Sequence, residues 1–178
     1  MTDLTAAAQA LSAAQNVVDS GIARLAEIGI DDNQVLAYDV AHGAAAVQTG
    51  QSLLNSYGDK GEIEAKITVA FIADAIAEIA GKVFGREEEW GVGSDAFDTA
   101  RSFVSTYRKP EFLASLAGEQ GPRHLSDDFE MVQDTFRRFA DEKLKPIAEH
   151  IHRSNGDIPE EIIEGLAEMG AFGLSIPE

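Results

Sequence analysis

The sequence contains no cysteine, which removes a disulfide framework, a thiolate nucleophile and a cysteine metal site together. Positive charge is scarce. Fourteen Lys and Arg stand against 31 Asp and Glu, a formal net charge of −17. A phosphate backbone is held by clustered positive charge, so nucleic acid is not an expected partner. An anionic membrane surface is disfavoured for the same reason. No apolar run approaches the ~20 residues that span a bilayer, and the opening Met-Thr-Asp-Leu-Thr lacks the basic region and apolar core of a signal peptide. The cytoplasm is the expected compartment. Prolines number only five and alanine is abundant, which favours helix. We find no internal repeat, low-complexity tract or convincing strand, and the expected class is all-α.

What is present reads as helices in series. The first spans residues 3–28, with Leu4, Ala8, Leu11, Ala14, Val18, Ile22 and Leu25 keeping a near-heptad beat and Gly29 marking the end. Asp31 or Asp32 caps a second that runs to about Tyr57, with Gly58 as terminator. Its centre, Ala41-His-Gly-Ala-Ala-Ala46, is small enough to admit another helix closely. His42 reads as an interhelical hydrogen-bonding residue rather than a ligand, because no second histidine or carboxylate stands at metal spacing. The third, about Gly61 to Phe84, carries a broad apolar face of Ile63, Ile67, Ala70, Phe71, Ile76, Ile79 and Val83. Asp74 falls within it as a half-buried residue with a structural rather than acid–base role. The acidic run before Trp90 reads as a solvated loop, with Trp90 sealing a bundle end. Ser94 caps a fourth helix through Phe97, Arg101 and Val104, and Pro110 opens a short turn. This gives a four-helix block over residues 1–117, then a linker over 118–126 containing Gly121-Pro122.

The last block, 127–178, reads as two amphipathic helices joined by Arg153-Ser-Asn-Gly156. Phe129, Val132, Phe136 and Phe139 share one face, and Asp127 with Glu130 forms a helix-start pattern. Pro146 implies a kink or restart. Asp157 caps the second helix with Pro159 in its first turn. Its buried face is Ile162, Ile163, Leu166 and Met169, and Gly170 stops it.

The order Arg137-Arg-Phe-Ala140, Lys143-Leu-Lys-Pro146, Ile158-Pro159 and Gly165-Leu-Ala-Glu-Met-Gly-Ala-Phe-Gly-Leu-Ser-Ile-Pro-Glu178 resembles the N-terminal α-domain of the acyl-CoA dehydrogenase family. In that family a second acid and an aromatic-Gly-Gly turn follow the Pro-Glu, so the resemblance implies the N-terminal piece of a longer chain. Residues 1–117 are an extension most family members lack. Leu36-Ala-Tyr-Asp-Val-Ala-His42, Gly58-Asp-Lys-Gly-Glu-Ile-Glu-Ala65 and Lys82-Val-Phe-Gly-Arg-Glu-Glu-Glu-Trp-Gly91 look like the helical extension of its methylsuccinyl-CoA dehydrogenase subfamily, which serves the ethylmalonyl-CoA pathway.

The resemblance implies, for the full-length protein, α,β-dehydrogenation of an acyl-CoA thioester. A glutamate base takes the α-proton, FAD takes the hydride, and an electron-transferring flavoprotein takes the electrons. It also implies a homo-oligomer. None of those parts falls on this chain, so no catalytic, cofactor-binding or metal residue is assigned. Gly91-Val-Gly93 lacks the third glycine and the preceding strand of a dinucleotide fingerprint. Two rival readings remain. Glu149 and His152 form a single Glu-x-x-His, whereas a di-metal bundle needs the motif twice. The other rival is a non-catalytic acidic bundle for dimerisation or partner binding. The two surviving readings differ at the 127–177 hairpin, whose apolar face should be exposed under the enzyme reading and covered by the N-terminal block under the module reading.

Overall fold

A computed structural model describes residues 2–119 and 121–174, and every regular element among them is helical. The chain divides into two compact units, Met1–Pro122 and Arg123–Glu178.

Three long helices build the first unit: α1 (Leu4–Ile28), α2 (Gln34–Ser56) and α3 (Glu62–Val83). Asp3 starts α1 by accepting from the Ala6 N–H at 2.9 Å, which satisfies one of the donors a helix start leaves free. Gly29, at φ 82°, ends it in a conformation that a side chain would strain. Each long helix turns inward a stripe of buried residues at alternating spacings of three and four. They are Ala7, Leu11, Ala14, Val18, Gly21 and Leu25 on α1; Leu36, Val40, Gly43, Val47 and Gly50 on α2; Ala65, Val69, Ile72, Ile76, Ile79 and Val83 on α3. Glycine is what lets α2 lie so close. A Cβ on Gly50 would stand 3.1 Å from both Leu11 methyls and 3.3 Å from Ile72 Cγ1, and one on Gly43 would stand 3.1 Å from Val18 Cγ2.

Several boundaries differ from expectation. Asp31 and Asp32 do not cap α2: Asn33 is its N-cap, and the Asn33 amide donates back to the Gly29 carbonyl at 2.9 Å, tying the turn to the end of α1. The acidic run is not a loop. Glu87–Trp90 forms a helical turn, α4, closed by Gly91 in the left-handed region. Trp90 is fully buried and presses its six-membered ring on Gly21, where a Cβ would meet Trp90 Cε3 at 3.0 Å and Val40 Cγ2 at 2.7 Å. Ser94 caps nothing, because residues 94–100 run as tight turns such as Ala96 N–H to Gly93 C=O and Ala100 N–H to Phe97 C=O. The helix begins only at Arg101, as α5 (Arg101–Tyr107), followed by α6 (Pro110–Ala114). The block is therefore a three-helix bundle with short helices across it. Phe103, Tyr107 and Phe112 stack at 4.8 and 5.1 Å between centroids, and the Asp3 N–H donates to the Tyr107 hydroxyl at 3.4 Å.

In the second unit, α7 (Asp127–Phe139) has Ser126 at its N-cap, so Asp127 is its first residue rather than its cap. It continues through a π-helical turn, Ala140–Leu144, into α8 (Lys145–Ser154). Pro146 lies in the first turn of α8, where its missing N–H is tolerated. The restart expected at that proline is made by the π turn, without a break. Pro159, not Asp157, is the N-cap of α9 (Glu160–Glu168). Gly170, at φ 74°, terminates it, and Ala171–Gly173 make a 3-10 turn. The closing Ser-Ile-Pro-Glu of the family-like motif lies outside the described residues.

Candidate functional site: the apolar face of the C-terminal unit

The second unit has little interior. Ile162 is its one fully buried hydrophobic residue among those described. Phe136 and Phe139 are half-buried, and the ring of Phe139 lies against Gly165, where a Cβ would meet its Cε2 at 2.6 Å. That glycine lets α9 approach α7 at the phenylalanine. Beyond this contact the apolar face is open. Phe129 is 65% exposed, Val132 40%, Ile158 60%, Phe172 62% and Leu174 65%. Ile163, expected inside, is 39% exposed. With Ile162 already inward, its neighbour lies about 100° further round the helix. This is the exposed hairpin face that the enzyme reading requires, and a contiguous patch of this kind marks a surface made to be covered.

The charged groups singled out in the sequence do not converge. His42 is exposed and sits against Tyr38, four residues away on the same helix, with ring centroids 4.3 Å apart, so it does not bridge helices as expected. Asp74 is exposed rather than half-buried and accepts from Arg108 Nε at 2.8 Å. Glu149 accepts from Arg153 Nε at 2.8 Å in an exposed pair one turn apart. Among the described residues no three His, Asp or Glu gather as metal ligands.

Sequence reading missed one cluster. Asp39 is buried on α2, and accepts from Lys82 Nζ at 2.9 Å and Arg86 Nη1 at 2.7 Å. Burial alone would raise the Asp39 carboxyl, but the two hydrogen bonds and positive charges hold it below its ordinary value. The hydrogen bond to Asp39 raises Lys82, and likewise Arg86, which also holds Glu89. All three residues lay in the family-like segments quoted above, yet no periodicity signals a pair 43 and 47 residues apart. The cluster clamps α2 to the end of α3 and is structural.

A flavin has no place on the described residues. Its pyrophosphate calls for free N–H groups at an uncharged or basic helix start, whereas the first turns of α3, α7 and α9 carry Glu62 and Glu64, Asp127, Asp128 and Glu130, and Glu160 and Glu161. No helix among the described residues is long and apolar enough to cross a membrane.

Comparison with known proteins bears on that open face. The chain is 33% identical over 141 residues to (2S)-methylsuccinyl-CoA dehydrogenase of Cereibacter sphaeroides, an alignment covering 70% of this chain and 26% of the relative. It is 39% identical over 54 residues to benzylmalonyl-CoA dehydrogenase of Aromatoleum aromaticum, covering 30% of this chain and 14% of the relative. The chain thus spans about a quarter or less of the length of these relatives. The longer alignment exceeds the C-terminal unit and so includes part of the bundle. Residues 126–178 match the family model described as acyl-CoA dehydrogenase, N-terminal domain, and it is to that family that the C-terminal unit is similar.

Proposed function

We propose that this chain is the N-terminal part of an FAD-dependent acyl-CoA dehydrogenase, whose whole-protein reaction is the α,β-dehydrogenation of (2S)-methylsuccinyl-CoA to mesaconyl-CoA. The observation that carries the reading is the exposed face of Phe129, Val132, Ile158 and Phe172 in the stretch that matches the family. A segment with one buried hydrophobic side chain is unfinished by itself and finished by a further domain docked on it. The substrate assignment is supported by the 141-residue likeness to a dehydrogenase of that name, which reaches into the bundle. In this reading residues 1–117 are the extension, 118–126 the linker and 127–178 the start of the α-domain. The flavin, the acyl-CoA and the catalytic base then belong to the rest of the protein, and electrons leave to an electron-transferring flavoprotein. The chain itself supplies a folded bundle and a docking face, in a cytoplasmic homo-oligomer.

The test is the intact mass and visible spectrum of the protein purified from its native gene, followed by turnover of (2S)-methylsuccinyl-CoA with an artificial electron acceptor. A longer, yellow polypeptide that consumes this thioester in preference to butyryl-CoA is expected. A colourless 19.1 kDa protein would overturn the reading in favour of a non-catalytic acidic bundle.

A further inference from the structure

Helix α2 is unusual in this chain for what its surface lacks. Charged residues make up 25% of the sequence, yet the 23 residues of α2 include one, Asp39, and that one is buried and neutralised by Lys82 and Arg86. The solvent side of α2 is therefore free of Asp, Glu, Lys and Arg along its whole length. Its exposed residues Val35, Tyr38, His42, Ala45, Thr49 and Ser52 recur at alternating spacings of three and four, which sets them on one face. Val35 is 71% exposed and Tyr38 64%. Elsewhere the outward surface is acidic, as on α4 with its three consecutive glutamates and on the first turn of α7.

We infer that this face of α2 is a homotypic interface, taken by the same face of a second copy. The argument is electrostatic. Two chains of charge −17 repel wherever acidic surfaces meet, and like charges placed together across an interface cost several kcal/mol. The α2 face is where two copies meet without that repulsion. It is also self-complementary. A two-fold axis brings each patch onto itself, which works only for groups able to pair with their own kind. The amide of Gln48 and the hydroxyl of Ser52 both donate and accept, and Tyr38 and Val35 give apolar area. The bordering charges on α3, Glu78 and Lys82, are opposite in sign. Depletion of charge with an exposed aromatic is the composition of an interface core. The short side chains between, Ala41, Ala45 and Ser52, lose little rotamer freedom when covered. This interface is independent of the catalytic reading and of the apolar face of the C-terminal unit.

The test uses the 178-residue protein in sedimentation equilibrium, with far-UV circular dichroism to check folding. A particle of twice 19.1 kDa is expected. The double variant Ala45→Glu/Thr49→Glu should weaken its association about a hundredfold, while Phe129→Ser/Val132→Ser should leave it intact. The absence of native cysteine provides a second measurement that adds no charge: Ala45→Cys should oxidise to a covalent dimer, and Ser102→Cys on α5 should not. A monomer at every concentration up to the solubility limit would overturn the inference. So would a dimer that survives the two glutamates, one lost only with Phe129 and Val132, or failure of Ala45→Cys to cross-link.

Discussion

In the N-terminal bundle each long helix finds its apolar partners within the chain, whereas in the C-terminal unit α7 and α9 turn much of their apolar face outward. Of the 23 hydrophobic residues buried among those described, Ile162 lies in the C-terminal unit and the other 22 in the bundle. Yet the C-terminal helices carry the clearer amphipathic pattern. A strong stripe on a helix says that something covers it and leaves open whether the cover is in the same unit. The bundle helices are more uniformly apolar because they are met on several sides.

That contrast can be broken most directly at Trp90. Trp90→Ala should cost about 3–5 kcal/mol, the usual range for emptying a buried aromatic site, measured as a fall in the denaturation midpoint followed by circular dichroism. Trp90→Phe should cost much less, since the buried indole Nε1 has no hydrogen-bond partner among the described residues. Two glycines sharpen the comparison further. Gly21→Ala sets a methyl against Val40 and Trp90, both buried and held on all sides, and should destabilise by about 1–3 kcal/mol. Gly165→Ala meets the half-buried Phe139 ring, which has solvent to swing into. Offset by the ~1 kcal/mol by which alanine favours a helix over glycine, it should be near neutral. Equal losses at the two sites would mean that the C-terminal unit is as tightly held as the bundle.

Asp39→Asn should cost about 1–2 kcal/mol at neutral pH, in the range for a hydrogen bond to a charged group. The sign with pH follows from the depressed carboxyl. Its stabilisation is complete above the ordinary value of 3.8 and is lost as pH falls through the lower folded-state value. The gap between wild type and Asp39→Asn, in urea titrations at neutral and strongly acid pH, should therefore close on the acid side. The smallest effect is expected at the open face. Phe129→Ser should change the stability of this chain by less than about 0.5 kcal/mol, as at other exposed positions, while in the whole dehydrogenase it should impair assembly. A large loss of stability in the chain alone would mean that Phe129 already has its partner.

Much of this fold was legible in the sequence, for identifiable reasons. The helix stops at Gly29, Gly85 and Gly170 were readable because each sits at a φ between 74° and 82°, where a side chain is strained. The faces were harder. In α3 the run Ile67–Ala73 is apolar nearly throughout, so periodicity chose Ile67 and Phe71 where the structure buries Val69 and Ile72. In α1 the beat selected Ile22, which is 50% exposed, and passed over Gly21, whose burial depends on a tryptophan 69 positions away. Starts failed where several acceptors were adjacent, as with Asp31, Asp32 and Asn33. The Asp39 clamp left no local trace, because what joins its members is the return of α3 alongside α2. The exposed hairpin face was legible as a stripe, and the family-like residue order supplied the reason for it.

The π turn at Ala140–Leu144 sets the angular phase of everything after it. In an unbroken α-helix, residues five apart point about 140° away from each other. A wider turn at this point brings Leu144 round toward the side of Phe139, and Ile147 and Ile151 follow at helical spacing, all of them half-buried. One added residue thus works as a phase shifter, keeping α7 and α8 facing the same way across a proline. Deleting a single residue between Ala140 and Leu144 would leave a straighter helix with its second half rotated by about 100°, turning Ile147 and Ile151 away from the face they share with Phe136.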